Sequence, residues 1–252
     1  MKKKMIIGNW KMNPTSLDEA KRIYRSIRSA SSKLSKTETI ICPPSIYIKS
    51  LMHKGKSPNF SIGAQNVFSE DQGAHTGEIS AVMLKDLGVN YVIVGHSERR
   101  EQGETDEIIS RKTGALLELG IHPVLCVGEK VRDENGEYLN FLKNQIKASL
   151  DKVPKKNISK LIIAYEPIWA IGAKESMEPF IVQEMVLFTK KTLSDIYGHD
   201  SAMSTPILYG GSVNFRNAGD IVMLGQADGL LVGRESVNIS GFRELLKTVD
   251  SL

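Results

Sequence analysis

The stretch Tyr91-Val92-Ile93-Val94-Gly95-His96-Ser97-Glu98-Arg99-Arg100 holds a whole structural unit. Its opening residues are apolar without polar alternation, as expected of a strand covered on both faces in a parallel sheet. A glycine then breaks the run, and the polar residues after it read as a helix start. The pattern recurs in both directions along the chain. Short apolar runs occupy Met5 to Trp10, Thr39 to Cys42, Ser61 to Gln65, Tyr91 to Val94, Pro123 to Val127, Leu161 to Tyr165, Ile207 to Gly210 and Gly229 to Val232. Their starts lie about 32 residues apart on average, which suits a strand plus a crossover helix.

The intervening helices carry their own signals. Ser16-Leu17-Asp18-Glu19 has the form of a capping box, and Leu17, Ala20, Ile23, Tyr24, Ile27 and Leu34 then mark one apolar face. Pro179 suits a first helical turn, with Val182, Met185, Val186 and Leu193 behind it. The polar run from Arg132 to Glu137 predicts a surface loop leading into a helix. Eight βα units without a composition break favour an α/β fold in which residues 1–252 form a single (β/α)8 barrel domain. The competing architecture is an open doubly wound sheet. Its dinucleotide-binding form is weakened because no Gly-x-Gly-x-x-Gly follows the first strand. Gly55-Lys56-Ser57 resembles the end of a P-loop, but Ser50 stands where the first glycine is required.

Composition narrows the function. The 252 residues include 33 Lys plus Arg and 29 Asp plus Glu, a formal charge of +4, too mild to imply nucleic acid. Hydrophobic residues at 41% and charged residues at 25% exclude disordered, collagen-like and disulfide-scaffold classes. The apolar run behind Met1-Lys2-Lys3-Lys4 stops at Gly8-Asn9-Trp10-Lys11, so no secretory or membrane segment is expected and a cytoplasmic location is. Cys42 and Cys126 lie inside apolar runs and read as buried free thiols. No His, Cys, Asp or Glu cluster has metal-ligand spacing, so no metal is implied.

In a barrel, function collects at the carboxyl ends of the strands. Those ends carry Asn9 and Lys11, Gln65 and Asn66, His96 and Glu98, Gly128 and Glu129, Glu166, Gly210-Gly211-Ser212, and Gly233-Arg234. Glu166 follows a buried apolar run, where lost hydration favours proton uptake and suits a general base; it also reads as a solvated strand-end carboxylate. His96 precedes a helix start, whose dipole disfavours imidazolium; it is either a neutral hydrogen-bond donor or a structural cap. Lys11 is either a surface lysine or a partner for an anion at the barrel mouth. Gly210-Gly211-Ser212 and Gly233 are either turns or a backbone phosphate nest. Arg99 stands where a nucleophile elbow needs its second glycine, which argues against serine hydrolysis.

Taken in order, several segments resemble the triosephosphate isomerase family over nearly the whole chain. They are Gly8-Asn9-Trp10-Lys11, Ala64-Gln65-Asn66, Gly73 to Glu78, Gly95 to Arg100, Cys126 to Glu129, Ala164 to Gly172, Tyr209 to Asn214 and Asp228 to Gly233. The resemblance implies a TIM barrel and a cofactor-free interconversion of dihydroxyacetone phosphate and glyceraldehyde 3-phosphate in glycolysis and gluconeogenesis. It implies Glu166 as the base and a neutral His96 polarising the carbonyl, the family being itself a standard case of such tuning and of lid closure. Lys11 and Asn9 would stabilise the enediolate, and Glu98 would support the site. Cys126 and Glu129 would be scaffold. Backbone N–H groups of Gly172, Ser212, Gly233 and Arg234 would bind phosphate, beneath a lid that begins at Pro167. The family further implies a homodimer, in which Thr76 would reach the partner's Asn9 and the partner's Lys11.

Three departures from the family pattern are visible. Ala173-Lys174-Glu175-Ser176 replaces the usual Thr-Gly-Lys-Thr of the lid, Arg234 replaces the second glycine of the phosphate turn, and His75 replaces an aromatic residue of the dimer loop. Arg234 would be strained if its position required positive φ. Two other classes remain compatible with the residues: an aldolase-type sugar-phosphate barrel, and a noncatalytic phosphate-binding dimeric barrel.

Overall fold

The computed structural model describes residues 3–52, 57–170 and 177–252. The strands are β1 (Lys4–Asn9), β2 (Thr37–Cys42), β3 (Phe60–Ala64), β4 (Tyr91–Val94), β5 (His122–Val127), β6 (Ile162–Tyr165), β7 (Ile207–Tyr209) and β8 (Gly229–Val232). They follow one another in spatial order, all parallel, and β8 pairs back onto β1 through Met5 opposite Gly229. This is a closed (β/α)8 barrel, which removes the open-sheet alternative. The helices are α1 (Leu17–Ser31), α2 (Ser45–Leu51), α3 (Ala81–Asp86), α4 (Ser97–Glu101), α5 (Asp106–Glu118), α6 (Glu137–Ser149), α7 (Pro179–Tyr197), α8 (His199–Ser204), α9 (Ala218–Met223) and α10 (Ile239–Asp250). Short 3-10 turns span Lys155–Lys160, Ile168–Ala170 and Arg234–Val237.

Period-two alternation sorts the strand residues into two cores. On β4, Tyr91 and Ile93 point into the barrel with Ile7, Ile40, Val124, Ile162 and Leu208, while Val92 and Val94 face the helices. Both surfaces of each strand are therefore buried, which is why the runs lack polar alternation. Cys42 and Cys126 belong to the inner core and are free thiols.

The helix signals act locally as well. The Ser16 side chain accepts the Glu19 N–H at 3.3 Å, and Ala20, Ile23, Tyr24 and Ile27 of α1 face the barrel. Leu17 departs from the expected stripe: it lies in the first turn, beyond the core, and is exposed. Leu34 lies past the helix end yet is buried. Pro179 opens α7 as expected. Before α6, the Asp133 carboxylate accepts the N–H groups of Glu137 and Tyr138, both at 2.9 Å, and the bond from Glu137 foremost holds its carboxyl below the usual range.

At the amino-terminal face, polar groups find fixed partners. Tyr91 donates to Glu38 Oε1 at 2.8 Å and stacks on His122 with ring centroids 4.9 Å apart. His122 Nδ1 lies 3.1 Å from the Lys160 carbonyl. No helix among the described residues is long and apolar enough to cross a membrane.

Candidate active site

The strand order brings residues far apart in sequence to one mouth. Asn9 ends β1 and is buried. Two residues later, Lys11 has φ 53°, a left-handed conformation that costs a nonglycine residue about 1 kcal/mol or more. Side chains from two strand ends hold it there. Asn9 Oδ1 accepts the Lys11 N–H at 3.0 Å, and Gln65 Nε2 donates to the carbonyls of Lys11 and Cys42, each at 2.8 Å. Gln65 carried no assigned role in the sequence, since a strand-end glutamine reveals nothing of which turn it clamps. The Lys11 ammonium lies 2.5 Å from Glu98 Oε1 and its side chain is 29% exposed. An imine-forming lysine needs a desolvated amine, and this one is ion-paired and partly wet.

His96 caps the start of α4. Its Nδ1 accepts the Glu98 N–H at 3.3 Å, which assigns the ring proton to Nε2 in the neutral imidazole. Nε2 lies 3.3 Å from Glu166 Oε1. Glu98 Oε2 approaches His96 Nδ1 only to 3.7 Å, so this carboxylate sits between Lys11 and His96 and bonds the lysine.

Glu166 continues the ladder past β6, donating its N–H to the Val127 carbonyl at 2.8 Å, and its side chain is 4% exposed. Its second carboxylate oxygen accepts the Ser97 N–H at 3.4 Å. Space around this residue comes from glycines just past the ends of both neighbouring strands, β5 and β7. A Cβ on Gly128 would lie 1.8 Å from the Glu166 carbonyl oxygen, and one on Gly210 would lie 2.8 Å from Glu166 Cγ. Cys126 shares this region; burial foremost, then the neighbouring Glu166 charge, pushes its thiol well up and leaves it unreactive.

Asn9, Lys11, His96 and Glu166 line a cavity of about 540 Å³ that also includes Ser212, Gly233 and Arg234. A larger groove of about 670 Å³ beside α1, lined by Lys21, Arg25 and Arg28 among others, contains none of the strand-end residues. Gly233 lies beside the tip of Lys11: a Cβ there would sit 3.4 Å from Lys11 Cε. Arg234 opens a 3-10 turn and is absent from the left-handed residues, so the strain conditional on positive φ does not arise. Ser236, which the sequence did not single out, donates to the Gly233 carbonyl at 2.6 Å and is 3.2 Å from the Asn9 carbonyl, tying the β8 turn to β1.

Gly172 and the variant residues Ala173-Lys174-Glu175-Ser176 lie outside the described residues. Their flanks are anchored. Trp169 Nε1 and Tyr165 OH both donate to Glu129 Oε1, at 2.9 and 2.8 Å, and the Met177 N–H donates to Tyr209 OH at 3.2 Å. Thr76 is not brought into the cavity; it lies on the exposed loop after β3. His75 retains an aromatic contact in that loop, with its ring 4.3 Å from Phe68 and Nε2 3.1 Å from Glu70 Oε2.

This strand-by-strand arrangement agrees with comparison to known proteins. A family model described as triosephosphate isomerase matches residues 4–249. The chain belongs to the triosephosphate isomerase family. It is an isomerase of that family, and its relatives match it from end to end. It is 40% identical to the triosephosphate isomerase of Endomicrobium trichonymphae over 98% of this chain and 99% of the relative. It is 41% identical to that of Dehalococcoides mccartyi over 96% and 94%, and 39% identical to that of Fusobacterium nucleatum over 98% and 99%.

Proposed function

We propose that the chain interconverts dihydroxyacetone phosphate and D-glyceraldehyde 3-phosphate through an enediolate, with Glu166 as general base. The observation that carries this reading is the convergence of Glu166, His96 and Lys11 on one cavity, with His96 Nε2 3.3 Å from the carboxylate. Substrate takes the place of that contact. Glu166 removes a proton from the hydroxymethyl carbon of the ketone, and the C–H electron pair moves into the new carbon–carbon double bond. The carbonyl oxygen takes the displaced pair, while His96 donates from Nε2 and recovers a proton from the neighbouring hydroxyl. Glu166 returns its proton to the second carbon, giving the aldehyde. The sum is one proton relocated on carbon and one on oxygen, so no electron carrier is required.

Lys11 and Asn9 stand where negative charge grows on the oxygens. A positioned base supplies roughly 10²- to 10⁴-fold and one oxyanion donor about 10²- to 10³-fold. Glu98 orients Lys11 through their 2.5 Å contact. Phosphate binding is assigned to backbone N–H groups of Ser212, Gly233, Arg234 and Gly172, with the segment after Pro167 as a lid that excludes water and suppresses phosphate elimination.

The same reading makes the enzyme a cytoplasmic homodimer of glycolysis and gluconeogenesis, with Thr76 on the dimer loop. Exposed apolar side chains after the first three strands support association: Met12 is 90% exposed, Ile46 76% and Met83 54%. The test is turnover of purified protein with glyceraldehyde 3-phosphate in deuterated water. Isomerisation with deuterium entering at carbon is expected, and absence of turnover overturns the proposal.

A further inference from the structure

His96 is held from both sides by a single residue one turn further on. The Arg100 backbone N–H donates to the His96 carbonyl at 3.1 Å, and its side-chain Nε donates to the Gly95 carbonyl at 2.7 Å. The peptide unit before His96 is therefore fixed by the Arg100 side chain, and the unit after it by the Arg100 N–H together with the Arg99 N–H at 2.9 Å. The rest of the guanidinium is also committed. Nη1 bonds Asp106 Oδ1 at 2.5 Å, and Nη2 bonds the Cys126 carbonyl and Ser149 Oγ, each at 3.2 Å. Ser149 donates in turn to Asp106 Oδ1 at 2.8 Å. The Arg100 side chain is 13% exposed, so these bonds are largely shielded from competing water.

The clamped segment needs holding. Gly95 has φ 67°, and a Cβ there would lie 3.0 Å from Arg100 Nη2 and 3.1 Å from Ile109 Cδ1. Glycine reaches this conformation freely but is not confined to it. Rotation of the Gly95–His96 peptide would swing the imidazole away from both Glu98 N–H and Glu166. The planar fork of arginine spans the carbonyls of Gly95 after β4 and Cys126 on β5, whereas the single ammonium of lysine cannot hold several fixed directions at once.

We propose that Arg100 is a positioning residue for the isomerase reaction: it fixes the Gly95–His96 peptide and ties it to β5, so that the imidazole keeps its Nε2 proton aimed at the reacting oxygens. Arg100 touches no substrate and acts through His96, so the inference rests on the isomerase reading above. The Arg100–Asp106–Ser149 cluster also joins α4, α5 and α6, which gives the clamp a rigid base.

The test compares the parent with Arg100→Lys, following isomerase kcat and KM and the ¹⁵N resonances of the His96 ring. A misplaced catalytic group can lose on the order of 10²-fold. For Arg100→Lys, kcat is expected to fall about tenfold or more with KM held within about twofold. The ring ¹⁵N signals should shift from one tautomer towards a mixture. Unchanged kcat, or reduced kcat with unchanged His96 signals, overturns the proposal. If Arg100→Lys does not fold, Ser149→Ala removes one support without touching Gly95; the same smaller shifts are expected, and their absence overturns it. A parent lacking isomerase turnover would instead refute the functional reading, and the two failures remain distinct.

Discussion

The two ends of the barrel use polar residues in opposite ways. At the amino-terminal face, Tyr91 is matched to Glu38, His122 to the Tyr91 ring and the Lys160 carbonyl, and Asp250 accepts the N–H groups of Ser35 and Lys36. Each group ends on another protein group. At the carboxyl-terminal face, Lys11, His96 and Glu166 bond one another's neighbours but also open onto a common cavity. The left-handed Lys11 and Gly95 both belong to this second end. The polar side chains named at the first end are matched to partners in place, whereas at the second end Lys11 is held in a left-handed conformation that a nonglycine residue does not favour, facing a cavity.

The largest test of this contrast is Glu166→Gln, which keeps size and hydrogen-bonding capacity but removes the base. Turnover should fall by roughly 10²- to 10⁴-fold while the melting temperature stays near the parent's; activity close to the parent's would remove Glu166 from the mechanism. Gly128→Ala should join the two roles. Its Cβ would meet the Glu166 carbonyl at 1.8 Å, so β5 and β6 must part. Stability should drop by about 1–3 kcal/mol or more in denaturant titration, with turnover reduced as well. An unaffected variant would show that the seam is softer than its geometry implies.

At the opposite face the expected effects are smaller and confined to stability. Tyr91→Phe removes the bond to Glu38 and should cost about 1 kcal/mol while kcat stays within about twofold; a large loss of turnover would break the division between the ends. The smallest effect concerns acid. Burial foremost, then the charge of Lys160, holds the His122 imidazolium below its ordinary pKa of 6.5. The unfolded chain therefore takes up this proton first as pH falls through that value, and the folded state loses stability below it. Replacing His122 with Gln should flatten the corresponding part of a stability-against-pH curve, and an unchanged curve would remove His122 as its source.

Much of this was legible in the chain because the signals are local. The run Tyr91 to Val94 has the same boundaries as β4, and the run Gly229 to Val232 the same boundaries as β8. A strand buried on both faces must be apolar throughout, and that requirement is written in consecutive residues. The positions of Glu166, His96 and Lys11 at strand ends were visible for the same reason. Leu17 shares the apolar face of α1 yet is exposed, because helical period gives a face but not how far that face extends beyond the barrel. Gln65, Ser236 and Arg100 had no legible roles, since each acts on the carbonyl of a turn, and all carbonyls look alike in sequence.

The sequence by itself determined a repeating strand-and-helix order, the burial of both cysteines and the set of polar residues at strand ends. Tertiary structure decided that β8 closes onto β1, that Lys11 pairs with Glu98, and that His96 meets Glu166 at 3.3 Å. It also decided that Arg234 sits without left-handed strain. The physical reason is range. Apolar period and capping depend on neighbours a few residues away, but the direction of a side chain at a strand end depends on which distant backbone groups the closed barrel places around it.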